Sequence, residues 1–286
     1  MGKVVLEGAI DLHCHFGPES VVGTRHAVDA FEAARDAAEL GFAALVLKSH
    51  DFPSNSVAYL VGQAVEGVRT FGSVCCDFCI GGLNPGAVET ALRDGAAIVW
   101  LPTISSQQDV ENGVAAMLGV PGPGIRLLDD SGDLLPEVQE ILDLIAEHEA
   151  IAATGHTSAA EHFAVARRFA GSGRLVVTHA MNAGAGPNLS VAECVELARL
   201  GAYIELSAAT CMGGHGPTAD DVVRAIGAIG PDKVVLSTDY GWTDQLPRPA
   251  PGLHSYVDAL WEAGAQETQL RRMACGNPAR LLRMAG

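Results

Sequence analysis

Asp11-Leu12-His13-Cys14-His15 follows the first apolar run of the chain and places two imidazoles two residues apart. Side chains at positions i and i+2 of a strand point to the same face, so His13 and His15 are expected to project together. The run over residues 4–10 is apolar and is predicted to form the strand, which Phe16-Gly17-Pro18 ends. The pair predicts neighbouring metal ligands only if further ligands follow other strands.

The bulk composition limits the classes of partner. The 286 residues carry 18 basic against 34 acidic side chains, a formal charge of −16, which argues against nucleic acid or an anionic membrane. No apolar run is long enough to cross a bilayer, and the seven cysteines lack the spacing of a disulfide scaffold. The first residues lack the cationic n-region of a signal peptide, so no signal peptide is expected. We therefore expect a cytoplasmic protein that acts on a small molecule and could form a homo-oligomer.

Apolar runs alternate with amphipathic helical patterns along the whole chain. The predicted strands are 4–10, 43–47, 70–76, 97–101, 151–154, 175–178, 202–206 and 234–237. Continuous apolar strands are typical of a buried parallel sheet. Eight strand–helix units predict a (β/α)₈ TIM barrel in one domain over 1–286, with a small hairpin inserted around 104–136. A doubly wound sheet is disfavoured because no Gly-x-Gly-x-x-Gly follows the first strand.

Capping signals mark the helix starts. Asn84-Pro85 offers a capping side chain followed by proline at the first helical position. Ser158 with Glu161, and Ser190 with Glu193, have the spacing of capping boxes. These boundaries support the alternation of helix and strand.

Polar side chains end five of the predicted strands. They are His13 and His15, Lys48 and His50, His156, His179, and Asp239. Because the carboxyl ends of barrel strands meet at one mouth, these side chains are expected to converge. Imidazole and carboxylate suit Zn²⁺, and also Mn²⁺, Fe²⁺, Co²⁺ or Ni²⁺. The pattern predicts a catalytic metal centre, with Asp239 placed to move a proton.

This combination resembles the amidohydrolase superfamily of metal-dependent barrel hydrolases over nearly the whole chain. The motifs are Asp-x-His-x-His on strand one, histidines after strands five and six, aspartate after strand eight, and a closing Asn277-Pro278-Ala279. The resemblance implies two groups of metal ligands. The more buried metal would take His13, His15 and Asp239, and the second would take His156 and His179. The chain looks closest to an uncharacterised branch that carries Lys-Ser-His on strand two.

Strand two carries the departure from the superfamily pattern. Members with two metals commonly bridge them with a carboxylated lysine or a glutamate from strand four or three, which this sequence lacks there. Lys48 could supply that bridge as a carbamate. Alternatively it stays an ammonium beside one metal and binds a substrate carboxylate or polarises a carbonyl, or it merely reaches solvent from a strand end. His50 could bind substrate or protonate a leaving group.

The loops after the strands are expected to select the substrate. The candidate contact residues are Phe16, Thr103, Met181, Asn182, His215 and Trp242. No arginine ends a strand, so a phosphate pocket is not indicated.

Together these features predict a hydrolase that uses metal-bound hydroxide to cleave an amide, cyclic amide, lactone or ester bond. Asp239, Lys48 and His50 are its predicted catalytic residues. The expected cofactor is one or two divalent ions, Zn²⁺ first, with carboxylated Lys48 as an addition. A metal-dependent decarboxylase or lyase of the same superfamily is the alternative, and a non-catalytic metal- or ligand-binding barrel is the second alternative.

Overall fold

The computed structural model describes residues 2–20, 25–120, 122–214 and 216–284. Its strand segments are β1 Ile10–His15, β2 Ala44–Lys48, β3 Arg69–Phe71, β4 Ser73–Cys75, β5 Ile98–Trp100, β6 Ile151–Ala153, β7 Leu175–Val177, β8 Tyr203–Ser207 and β9 Val234–Ser237. They pair in parallel in the orders β1-β2-β3 and β4 through β9. Parallel pairing agrees with the continuous apolar runs of the sequence.

Helices connect and cover the strands. They are α1 Ala30–Glu39, α2 Asn55–Ala64, α3 Pro85–Arg93, α4 Gln107–Glu111, α5 Val114–Met117, α6 Pro136–Glu147, α7 Ala159–Phe169, α8 Val191–Leu200, α9 Ala208–Met212, α10 Ala219–Ile229, α11 Pro249–Glu262, α12 Glu267–Arg271 and α13 Asn277–Leu281. The predicted caps are confirmed. The Asn84 side chain accepts from the N–H of Ala87, the third residue of α3, and Ser158 and Ser190 each form a capping box. No helix in the described ranges has the length and apolarity needed to cross a membrane.

The two groups of strands belong to one (β/α)₈ barrel, as the sequence predicts. β3 and β4 are halves of a single barrel strand, interrupted at Gly72, where a Cβ would lie 2.5 Å from the Cα of Asn55. At the other seam, the N–H of His15 donates to the carbonyl of Tyr240, and the N–H of Asp239 donates to the carbonyl of His13. The predicted strand 70–76 is therefore divided, because the chain passes too close to α2 at this glycine.

The prediction of the first strand over residues 4–10 is wrong, since β1 begins at Ile10. The preceding segment is buried at Val4 and Leu6 but pairs with no strand. Its chain turns at Gly8, which has a φ of 82°, and the Val4 N–H donates to Asp258 of α11. Its apolar side chains join the hydrophobic core outside the strands, and burial alone does not distinguish this from a strand.

A bulge in β1 directs both histidines into the barrel. The register of β1 on β2 shifts between Asp11 and Cys14. Leu12 lies in the apolar cluster inside the barrel, whereas Cys14 lies in the cluster between strands and helices. An inserted residue re-aims the side chains that follow it. His13 and His15 therefore share the inner face with Leu12.

The connection from β5 to α6 extends over the mouth of the barrel. It contains the short helices α4 and α5, a parallel bridge from Ser106 to Ile125, and an antiparallel bridge from Leu128 to Leu134. Asp109 of α4 contacts His156 after β6, and Asn112 donates to the Gly186 carbonyl after β7. The segment therefore joins the loops that carry His156 and His179.

Candidate metal centre

His13, His15 and Asp239 form one cluster of donor atoms. Asp239 Oδ1 lies 3.0 Å from His13 Nε2 and 3.2 Å from His15 Nε2. Both histidines are buried, and the carboxylate is 13% exposed where it borders a cavity. Three such atoms within 4.8 Å of one another can hold one divalent ion.

His156 and His179 form a second pair at the same mouth. Their Nε2 atoms lie 2.9 Å apart. Asp109 Oδ2 accepts from His156 Nδ1 at 2.6 Å, which leaves the lone pair of that ring on Nε2. His179 is nearly fully buried, and its φ of 23° is unusual for a residue with a side chain. Two imidazoles that meet in this way suit a shared cation.

Buried carboxylates face the Nδ1 atoms of four histidines of the site. The pairs are Glu205 with His13 at 3.0 Å, Asp109 with His156 at 2.6 Å, Asp77 with His50 at 3.4 Å and Glu19 with His15 at 3.8 Å. The first three distances favour an N–H on Nδ1, and the fourth is an electrostatic contact. A carboxylate on Nδ1 leaves the Nε2 lone pair available to a metal.

Glu205 is the most central of these carboxylates. It lies inside the barrel on β8, where Oε1 also accepts from Ser237 Oγ at 2.6 Å and Oε2 accepts from the His179 N–H at 2.7 Å. Burial raises the pKa of Glu205, but attraction to His13 and the hydrogen bonds outweigh burial and lower the pKa to about 2. The sequence reasoning missed this residue, although a carboxylate within the apolar run Tyr-Ile-Glu-Leu-Ser is a visible signal.

The turn that carries Asp239 is held in a strained conformation. Asp239 has a φ of 56°, in the left-handed region. Asp11 accepts from the Thr238 N–H at 3.1 Å, and Trp242 Nε1 donates to the Asp239 carbonyl at 3.0 Å. Gly241 passes so close that a Cβ there would lie 1.9 Å from the His15 carbonyl oxygen. Strain held by so many contacts is typical of functional sites.

Lys48 lies beside the first cluster. Its Nζ is 2.9 Å from His13 Nε2 and 4.6 Å from the centroid of the Trp100 ring. The side chain is 1% exposed. Since His13 Nδ1 faces Glu205, its Nε2 faces both the Lys48 amine and Asp239 Oδ1.

His50 is held by Thr103 and Asp77. The Thr103 hydroxyl donates to Asp77, so its oxygen accepts from His50 Nδ1 at 2.8 Å. Thr103, predicted to contact substrate, thus lies behind His50 and has no exposed surface. Asp77 also accepts from the N–H groups of Thr103 and Ser105 at 3.0 Å each. The arrangement leaves Nε2 of His50 for the cavity.

One cavity of about 140 Å³ joins these groups. Its polar lining is His15, Lys48, His50, His156, His179 and Asp239. Its apolar lining is Ile104, Val114, Met117, Leu118 and Trp242. Of the apolar residues the sequence reasoning named Trp242 alone, because nothing in the sequence places the α4–α5 segment over the mouth.

The remaining predicted substrate contacts lie away from this lining. Phe16 is buried in the outer core, with its ring centroid 6.4 Å from that of Phe52. Asn182 Oδ1 accepts from two N–H groups of its own loop, and Met181 packs partly buried against the core. His215 lies outside the described residues.

Comparison with solved structures identifies the fold. An amidohydrolase from Pseudomonas aeruginosa is 15% identical with a TM-score of 0.59, covering 96% of this chain and 95% of its own. The 2,6-dihydroxybenzoate decarboxylase from Rhizobium is 13% identical with a TM-score of 0.60, covering 98% and 100%. The organophosphorus hydrolase from Deinococcus radiodurans is 17% identical with a TM-score of 0.61, covering 97% and 93%.

Sequence comparison identifies a family but no activity. No protein of curated function matches significantly. Residues 8–205 match the model of a family of unknown function, DUF6282. The chain therefore belongs to the family of unknown function DUF6282, and its barrel has the fold of the amidohydrolase superfamily.

Proposed function

We propose that this protein is a metal-dependent hydrolase that cleaves an amide, cyclic amide, lactone or ester bond of a small molecule. One observation carries the proposal: four imidazoles and the Asp239 carboxylate line one cavity, His13 Nε2 lies 3.0 Å from that carboxylate, and carboxylates face the Nδ1 atoms of His13, His15, His50 and His156. Hydrolases among the structures of the same fold support it.

The residues present fit a divalent metal. His13, His15 and Asp239 would hold one ion, and His156 with His179 would hold a second. Imidazole and carboxylate donors suit Zn²⁺ first, and also Mn²⁺, Fe²⁺, Co²⁺ or Ni²⁺. When bound, such an ion would polarise a substrate carbonyl and lower the pKa of a water molecule.

The chain itself would supply the proton transfers. Asp239 borders the cavity and is placed to take the proton of an attacking water and pass it to the leaving group. His50 lines the same cavity with its Nδ1 held by Thr103, so Nε2 can meet the leaving group or another polar atom of the substrate. The apolar residues of the lining would exclude bulk water from the reacting carbonyl.

Lys48 would act at the first cluster in one of two forms. As a carbamate it would bridge two ions, and as an ammonium it would face the substrate carbonyl. Mass spectrometry under non-denaturing conditions separates them: the added mass of one CO₂, lost in a Lys48→Met variant, supports the carbamate. An unmodified chain with one bound ion supports the ammonium.

The test of the proposal is Asp239→Asn. Activity would first be found by screening lactones, hydantoins and N-acyl compounds with metal-loaded protein. Because Asp239 would also be a metal ligand, the variant is compared with the wild type at equal metal content, and we expect it to lose about 10²- to 10⁴-fold in kcat, since the amide cannot accept a proton. Asp94→Asn, at an exposed helix end, is the matched control and should retain activity. Full activity of the metal-loaded Asp239→Asn variant would contradict the assigned role.

A decarboxylase shares this fold, so the reaction class needs its own measurement. Hydrolysis in H₂¹⁸O places solvent oxygen in the product. Release of CO₂ without incorporation of the label would support a decarboxylase instead.

A further inference from the structure

We infer that the substrate is an electrically neutral carbonyl compound with an apolar substituent, and that this substituent packs on the side chains of Ile104, Val114, Met117 and Leu118. These four residues are called the apolar wall below. That the substrate contains a reacting carbonyl depends on the proposed function. Its neutral charge and apolar substituent are inferred from the residues around the cavity.

The cavity has two chemically distinct sets of lining residues. The histidines, Lys48 and Asp239 lie at the carboxyl ends of barrel strands, whereas the apolar wall lies on the connection between β5 and α6. Trp242, after β9, adds an aromatic surface to the same cavity. A substrate that places its carbonyl at the strand ends would bring its remaining atoms to the wall, where an alkyl or aryl group is removed from water.

The apolar wall continues beyond the first cavity. A second cavity of about 370 Å³ shares Ile104 and Leu118 with the first, and Phe78 and Val120 also line it. The first cavity, of about 140 Å³, suits a small ring or a short chain. A longer substituent that passed Leu118 would therefore meet the apolar side chains of Phe78 and Val120, together with the polar Ser20 and Ser105.

The buried charges around the cavity oppose an anionic substrate. Five carboxylates lie beside the histidines of the site, namely Glu19, Asp77, Asp109, Glu205 and Asp239. Four of them are no more than 1% exposed, so solvent screens them little. Lys48 as an ammonium with one divalent ion would supply three positive charges against these five, and Lys48 as a carbamate with two ions would leave four positive charges against six negative ones. In either form the site is negative before the substrate binds, so a negative charge on the substrate would be repelled.

Binding of non-hydrolysable ketones tests this inference without requiring turnover. Isothermal titration of the metal-loaded protein would use 2-alkylcyclopentanones with chains from ethyl to hexyl. We expect affinity to rise about fourfold per methylene until the wall is covered. The hexyl probe with a carboxylate in place of its terminal methyl should bind about tenfold more weakly or worse, because its charge meets the apolar wall.

Met117→Lys is the matched perturbation. Met117 is 76% exposed although it lines the cavity, so the new ammonium stays hydrated and the fold is preserved. In the variant, ketone affinity should increase less with each added methylene, and the carboxylate probe should bind more tightly than it does to the wild type. Leu60→Lys changes a 60% exposed residue of α2 that lines neither cavity, and it should leave both properties unchanged.

The outcomes separate this inference from the proposed function. Equal affinity along the ketone series, or tighter wild-type binding of the carboxylate probe, would overturn the inference. Chain-length-dependent binding without turnover of any lactone, amide or ester would contradict the hydrolase and leave the apolar wall supported. Turnover of such a substrate, with ketone affinity independent of chain length, would support the hydrolase and overturn the inference about the apolar wall.

Discussion

Replacing Glu205 with glutamine removes one acceptor from a side chain that serves three donors. Its Oε1 faces His13 Nδ1 at 3.0 Å and Ser237 Oγ at 2.6 Å, and its Oε2 accepts from the His179 N–H at 2.7 Å. Glutamine has the same shape but one oxygen and one donating nitrogen. In either orientation, the amide NH₂ group of the glutamine would face a hydrogen-bond donor, either at His13 Nδ1 or at the His179 N–H.

Two effects of different kinds follow. An amide nitrogen facing the His179 N–H leaves a buried donor unsatisfied, which costs about 1–3 kcal/mol of unfolding free energy. An amide nitrogen facing His13 favours the tautomer with its proton on Nε2, which removes the lone pair a metal needs. Loss of such a carboxylate partner lowers metal affinity by about 10- to 100-fold.

The assay is Zn²⁺ competition with a chromogenic chelator, run beside thermal unfolding. Glu161→Gln is the matched control, because Glu161 is also buried but accepts from Leu127 N and Ser158 N. We expect the control to lose stability and keep its Zn²⁺ affinity. A Glu205→Gln variant with wild-type Zn²⁺ affinity would refute the reasoning, as would an equal loss in the control.

Two further predictions concern stability. Burial lowers the pKa of His162 to about 4 from 6.5, so its neutral form stabilises the fold above pH 6.5, and about 3 kcal/mol is lost as the pH falls toward 4. Denaturant unfolding of His162→Gln should show a smaller acid loss, and an identical loss would contradict this. Gly72→Ala brings a Cβ to 2.5 Å from the Asn55 backbone and should lower the free energy of unfolding by about 1–3 kcal/mol. Gly227→Ala places its Cβ in open space on α10 and should raise the free energy of unfolding by about 0.5–1 kcal/mol. Equal Tm shifts in the two glycine variants would refute the steric argument.

The alternation of strand and helix could be predicted because it depends on local periodicity and capping. The capping boxes at Ser158 and Ser190 are formed as their spacing indicates. The position of β1 could not be predicted, because Val4 and Leu6 are buried by packing against the rest of the barrel rather than by pairing. Hydrophobicity reports burial and does not identify the neighbour.

The histidines of the candidate site could be predicted because each lies at or just after the carboxyl end of an apolar strand. Three of their carboxylate partners, Asp77, Asp109 and Glu205, could not be predicted from spacing, since each lies far along the chain from its histidine, whereas Glu19 lies only four residues after His15. Asp109 lies 47 residues before His156, on a helix whose place over the mouth depends on the tertiary fold. The apolar wall, including Met117, was missed for the same reason.

The most direct test of the metal centre is anomalous scattering from crystals of protein purified without chelator, with metal analysis of the same sample. We predict a divalent ion about 2.0–2.2 Å from His13 Nε2, His15 Nε2 and an Asp239 oxygen. A folded protein that leaves this position without metal after exposure to Zn²⁺, Mn²⁺, Fe²⁺, Co²⁺ and Ni²⁺ would contradict the central claim.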